Sequence, residues 1–375
     1  MSFLDDFERH ELYLQRLATA MLNSKIYPSL AEAYKAARLI LLDAESIKSP
    51  SELNKVTAAV RKATEETTAK AWAEVTDDLQ SMGVYEAGFY ASLVGGYADK
   101  RLKTPADKQI AGFINKSLMT LHSGSKVDSG FWGEYVSAQI ASVGNAYDSA
   151  VKAGYSNGET VSQIAGRIRM VTEGLLRNEA ESLARTGVQH YATQARRAMA
   201  EANLDVIVRE FPIVTFDNRT TPICMGIASK YPKGWPKDSN PVGYPPFHFG
   251  CRTAIVDLVA GQEYPDGTRA AVGGQEDGAA AFEKKQSRTD KKFKYRGKKD
   301  QDVFKVGQIP VGTNIDKWLR SQPDWYIEST LGATKAKLFK DGGMRLSKFT
   351  DATQRPLTIA ELRELDSAAF KRVGL

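Results

Sequence analysis

The chain has 375 residues and a mass of 41.2 kDa, with 42 % hydrophobic and 26 % charged residues, which excludes a disordered or fibrous protein and predicts two or three domains. No stretch free of Asp, Glu, Lys and Arg exceeds 13 residues (Tyr135–Tyr147 and Ser239–Cys251), short of the ~20 apolar residues a spanning helix needs, so no membrane partner is expected. The formal charge is +6, but Lys284–Lys299 alone holds nine Lys/Arg against Asp290, so the remainder is −2.

The opening MSFLDDFERHE has neither a basic n-region nor an apolar h-region, so synthesis in a cytoplasm is expected. From Met1 to about Asn203 the pattern is helix after helix. Ser29-Leu30-Ala31-Glu32 reads as a capping box, followed by an apolar stripe at Leu30, Tyr34, Ala37, Leu41 and Ala44. Thr104-Pro105 reads as an N-cap with Pro at the first helical position, starting a helix with Ile110, Ile114 and Leu118 on one face. A helix over about Phe131–Ala153 should end near Gly154. GYSNG (Gly154–Gly158) matches G-x-S-x-G around Ser156, but the helical pattern before it makes a helix–helix turn the simpler reading. Leu176–Asn203 is the clearest helix, with Leu176, Ala180, Leu183, Gly187, Tyr191, Ala195 and Ala198 on one face.

Beyond Asn203 the texture changes. Val206–Phe216 reads as one strand or a bent pair, and Thr253–Val259 as a second strand. Between them, Thr221–Pro246 carries six prolines and reads as a long structured loop. Ala260–Thr313 is Gly-rich and then basic, and reads mostly as linker or mobile arm. Helical patterns return near Ile315–Ser321, Trp325–Leu331 and Thr358–Phe370, with a capping box at Thr358-Ile359-Ala360-Glu361. The expected fold is mainly α: an extended helical N-terminal region (1–157), a small α+β module containing a Cys/His loop (158–260), a Gly-rich and basic arm (261–313) and a short helical tail (314–375).

Two constellations bear on function. Cys224 and Cys251 are the only cysteines, too few for a disulfide scaffold, and with His248 they fall within 28 positions. His248-x-x-Cys251 lets an imidazole and a thiolate reach one ion, with Cys224 from the other arm of the loop and Asp217 as a fourth, oxygen ligand of a structural Zn2+ clip. The same spacing also fits two reduced cysteines packed as small apolar groups with His248 hydrogen-bonded locally. A metal-dependent nuclease with Asp217 as base has the residue count but no independent support. No P-loop or dinucleotide fingerprint is present, and His10, His122 and His190 are scattered, so no catalytic residues are assigned and no enzyme is expected. In the arm, Lys284, Lys285, Arg288, Lys291, Lys292, Lys294, Arg296, Lys298 and Lys299 are the candidate DNA-binding residues, with Phe293 and Tyr295 between them; a solvated linker fits the same pattern.

The runs LARTGVQHYATQARR (Leu183–Arg197), TFDNRTTPIC and YPPFHFGCRT resemble the phage Mu protein F-like family of minor head, or head morphogenesis, proteins. The resemblance is carried by Ala184-Arg185-Thr186, Asp217-Asn218-Arg219-Thr220, Cys224 and Pro245–Arg252, and more loosely by Trp318-Leu319, Gly332, Leu338-Phe339 and Arg355-Pro356-Leu357-Thr358. It implies a low-copy virion component, inside the head or at the portal vertex and assembled in the host cytoplasm. Its partners would be the portal protein, a major capsid or scaffold protein and double-stranded DNA, and its role would lie in head morphogenesis and DNA packaging or ejection. The motif favours the clip over packed thiols, and implies that Arg185, Arg219 and Arg252 are salt-bridge partners orienting the module. A generic non-specific DNA-binding protein is the further alternative.

Overall fold

A computed structural model describes residues 2–44, 46–124, 126–279, 282 and 303–375. The protein is mainly α with small sheets, as the sequence predicts. Helix α1 (Phe3–Met21) runs through a π turn (Leu22–Ile26) into α2 (Tyr27–Asp43). In that wider turn Tyr27 N–H reaches back to Leu22 O, and the chain passes Pro28 without stopping. The capping box expected at Ser29–Glu32 is therefore absent: Ser29 lies inside the helix and its hydroxyl donates to Thr67 O at 3.1 Å. Leu30, Ala37 and Leu41 of the expected stripe are buried.

Helix α3 (Pro50–Ala98) has 49 residues, about 74 Å at 1.5 Å per residue. Its buried face, including Val60, Trp72, Val75, Leu79, Tyr90 and Val94, packs against α2, α5 (Trp132–Ser156) and α7 (Arg177–Glu201). A buried ionic network ties α1, α3 and α7 together. Arg196 donates to Glu86 and Glu11, both at 2.6 Å, and His10 bonds Glu86. Between α3 and α5, α4 (Asp107–Asn115) starts two residues later than Pro105, with Gln109 accepting from Ala106 N–H at 3.0 Å. Leu118 falls outside that helix and is 54 % exposed, because the chain turns there into an unexpected antiparallel hairpin, β1 (Met119–Ser123) and β2 (Lys126–Gly130). Helix α5 runs past its expected end at Gly154 to Ser156, so Ser156 of GYSNG is helical and only Asn157-Gly158 belong to the helix–helix turn. Gly158 takes φ +67°, and Thr160 caps α6 (Val161–Val171), which continues through a second π turn into α7.

The expected strands pair antiparallel as β3 (Ile207–Ile213) and β5 (Ala254–Val259), with the short β4 (Trp235–Pro236) on the other edge of β3. Alternation along these strands divides them between two cores. Ile207, Phe211, Val256 and Leu258 join the helical core, while Ile255 and Trp235 join a second one. Thr221–Pro246 is not all loop: Thr221 caps and Pro222 opens α8 (Pro222–Lys230).

The span 261–313, expected as linker, contains a paired β6 (Thr268–Gly274) and β7 (Phe304–Pro310). Phe216 joins this pair, its N–H donating to Ala270 O at 3.2 Å while its carbonyl accepts from Val272 N–H at 2.8 Å. The nine candidate DNA-binding residues of Lys284–Lys299 lie outside the described residues. The tail forms α9 (Ile315–Arg320), α10 (Asp324–Leu331), α11 (Ala333–Lys340), α12 (Ile359–Leu365) and α13 (Ser367–Arg372), with the Thr358/Glu361 capping box in place. It is not a separate layer: Leu319, Tyr326, Phe339, Phe349 and Phe370 share the second core with Ile223, Ile227, Trp235 and Phe247. Among the described residues no helix is long and apolar enough to cross a membrane.

Candidate metal centre

Three elements converge at the boundary of the two cores. Cys224 sits in the first turn of α8, where the Thr221 hydroxyl accepts from its amide at 3.5 Å. His248 and Cys251 lie on the loop entering β5, closed by a turn in which Cys251 N–H donates to His248 O at 3.1 Å. Helix α7 holds this loop. The Thr186 hydroxyl accepts from Gly250 N–H at 2.9 Å, and the Gln189 amide donates to Thr253 O at 2.9 Å. On its other side, His122 N–H of β1 donates to Phe247 O at 2.9 Å.

The donor atoms meet. Cys224 Sγ is 3.3 Å from His248 Nε2 and 3.9 Å from Cys251 Sγ, and all three lie within 4.8 Å of one another. Both thiols are free and buried. Tetrahedral zinc, with bonds of about 2.3 Å to sulfur and 2.0 Å to nitrogen, separates two sulfurs by ~3.8 Å and a sulfur from a nitrogen by ~3.5 Å. The observed spacings fit that geometry. His248 Nδ1 lies 3.0 Å from Phe249 O, which can only accept, so Nδ1 carries a proton and Nε2 is the atom that faces the sulfurs, as an N–H donor when the ring is charged and as a lone pair when a metal binds.

The electrostatics favour one thiolate. Burial opposes ionisation of Cys251, but hydrogen bonds from Cys224 and His248 and the imidazole's charge outweigh it, holding that thiol well below its ordinary value. Cys224 is pushed up by its bond to Cys251 and by burial. Burial disfavours the charged His248 ring, yet its bond to Cys251 carries its pKa above the usual imidazole value.

Asp217 is not a fourth ligand. Its two oxygens accept from both terminal nitrogens of Arg252 at 2.7 Å, and Oδ1 also accepts from the Thr220 hydroxyl at 2.9 Å and Arg219 N–H at 3.0 Å. Burial works against the ionised carboxylate, but these bonds win and lower its pKa. Asp217 instead orients Arg252, the residue next to Cys251. Of the three arginines expected as orienting partners, Arg252 alone bridges separate segments. Arg185 pairs with Glu181 on its own helix at 2.8 Å, and Arg219 has no ion-pair partner among the described residues. Thr186 and Gln189, which fix the loop, carry no signal in composition or spacing; only the Ala-Arg-Thr run marks Thr186. No protein-family model, curated protein or solved structure matches the chain.

Proposed function

We propose that this chain is a minor head protein of a tailed bacteriophage. It would be present in few copies and bind the portal during prohead assembly. Its Lys284–Lys299 arm would contact packaged double-stranded DNA, and its role would lie in head morphogenesis and in packaging or ejection. One observation carries the reading. The segments that bear the resemblance are separated along the chain but meet as one unit: Thr186 bonds Gly250, Asp217 bonds Arg252, and Cys224, His248 and Cys251 face one another. Residues scattered over 67 positions, Thr186 to Arg252, thus contact one another as one structural unit, which supports the reading.

Within that reading, Cys224, His248 and Cys251 would hold one structural zinc. Bound there, the ion would supply a cross-link between α8 and the loop entering β5. The chain's own residues prepare the site: Thr221 sets the first turn of α8, Phe249 O fixes the His248 tautomer, and Thr186 and Gln189 hold the loop against α7.

Mass spectrometry of proheads and mature particles, with copy number counted against the portal, tests the role. A few copies per particle, kept through salt washing and lost with the portal, is the expected result. Absence from both particles refutes it. Metal analysis of protein purified without chelator tests the site, with about one zinc per chain expected. DNA cleavage that depends on His248 would replace this reading with the nuclease.

A further inference from the structure

We infer that the cleft at the end of α3 is a second nucleic-acid site, which takes the phosphate backbone of duplex DNA. The inference rests on the proposed contact with packaged DNA and adds to it a folded groove in the N-terminal helical region.

The cleft has a volume of about 690 Å3, in the size range of ligand sites, and opens to solvent. One wall is the last turns of α3, through Ala91, Ser92, Gly95 and Gly96, and the other is the segment 100–104 that follows. Lys100, Arg101 and Lys103 of that segment are exposed, and no acidic side chain lines the cleft. Among the described residues none of the three cations has an ion-pair partner. Asp99 adjoins Lys100 along the chain but does not line the cleft. The chain outside Lys284–Lys299 has a net charge of −2, so an acid-free group of three cations is a local feature.

The cationic wall is held from beneath. Asp99 turns the chain through φ +50°, and Lys100 N–H donates to Gly95 O at 2.9 Å. The buried Asn203 side chain then takes both backbone groups of Lys103. Its Oδ1 accepts from Lys103 N–H and its Nδ2 donates to Lys103 O, each at 2.8 Å. Leu102 is buried between the exposed Arg101 and Lys103. The backbone that carries the charges is thus ordered before any ligand arrives, which lowers the cost of binding. The facing wall leaves room: nothing lies within 4 Å of where a Cβ on Gly96 would stand. No aromatic ring lines the cleft, so it offers a base no stacking surface, whereas phosphate oxygens match both guanidinium and ammonium groups. Cations beyond a helix C-terminus also answer its dipole, but that role needs no cleft and is indifferent to what fills it.

The test is duplex DNA binding by the full chain, read by fluorescence anisotropy across a salt series. Each phosphate contact contributes about 0.9 to the slope of log K against log salt. Lys100→Gln, Arg101→Gln and Lys103→Gln together should therefore lower the slope by about 2.7 and weaken binding about 500-fold at 0.1 M salt. Gly96→Phe fills the cleft and removes no charge. It should weaken binding by about eightfold or more, the equivalent of one lost contact, with circular dichroism and thermal midpoint unchanged. An unchanged slope in the triple variant overturns the site while leaving the arm's role standing. So does a folded Gly96→Phe chain that binds as the parent does, because surface charge without a groove then suffices. Should Gly96→Phe fail to fold, the triple variant decides. If the parent binds no duplex at all, the inference and the proposed DNA contact fall together. Binding to phosphatidylserine vesicles but not to duplex would likewise overturn the inference and assign the cleft to an anionic lipid surface.

Discussion

Asp217→Asn separates the structural and ligand readings of that residue. The carboxylate is 5 % exposed and accepts four hydrogen bonds, two of them from Arg252. Asparagine keeps an acceptor for Thr220 and the Arg219 amide, but turns an NH2 toward the Arg252 nitrogen that Oδ2 now holds. Removing one partner of a buried pair costs roughly 3–5 kcal/mol. The Arg252 side chain retains 31 % exposure, so solvent screens part of the loss and about 3 kcal/mol is expected. Because the chain has two cores, the fitting assay is hydrogen exchange rather than one global midpoint. A loss of 3 kcal/mol raises the local opening constant on the order of a hundredfold, confined to the turn after β3, α8 and β5. Zinc content should stay near one per chain, since Asp217 holds no metal. Exchange less than fivefold faster, or loss of the metal with unchanged exchange, would refute the reasoning.

Cys251→Ser and Cys224→Ser should each abolish stoichiometric zinc, measured by elemental analysis, and the metal-free chain should show faster exchange in α8 than the parent. His190 is buried and its pKa is lowered by burial alone to about 4 from 6.5, so the fold holds it neutral while the unfolded chain takes up a proton below pH 6.5. Stability is thus lost as pH falls from 6.5 toward 4, by about 3 kcal/mol at most, and thermal midpoints of His190→Leu should show a shallower acid decline than the parent's. A Cβ on Gly187 would stand 2.5 Å from the Trp132 ring and 3.0 Å from Leu79, so Gly187→Ala should cost ~2 kcal/mol by spreading α7 from α3 and α5. Thr358→Ala removes one half of a capping box and should cost ~1 kcal/mol, read from the urea midpoint of the tail core.

What was legible in the sequence was local. The stripe from Leu176 to Ala198 and the Thr358/Glu361 box depend on residues three or four apart, and both stand in the structure. Thr104-Pro105 and Thr221-Pro222 look alike as strings, yet only the second begins a helix, because the helix after Pro105 is set by Asp107 and Gln109. The β6–β7 pair was illegible because its partners are separated by a long Gly-rich and basic run. At the candidate site, residue type identified Cys224, His248 and Cys251, while Asp217 was misassigned. Type says that a carboxylate can bind metal; only geometry shows that Arg252 already holds both its oxygens.

The β6–β7 pair also changes what kind of object the basic segment is. Gly274 pairs with Phe304, so the 29 residues between them leave and return at one point. Whatever their conformation, no cation among them can travel beyond about 50 Å from that point, half the extended contour. A single proteolytic cut within the segment would therefore not release a fragment. The C-terminal piece would stay attached through β7 and the second core it shares with α8. A nicked chain should elute as one particle in native chromatography and as two bands only after denaturation.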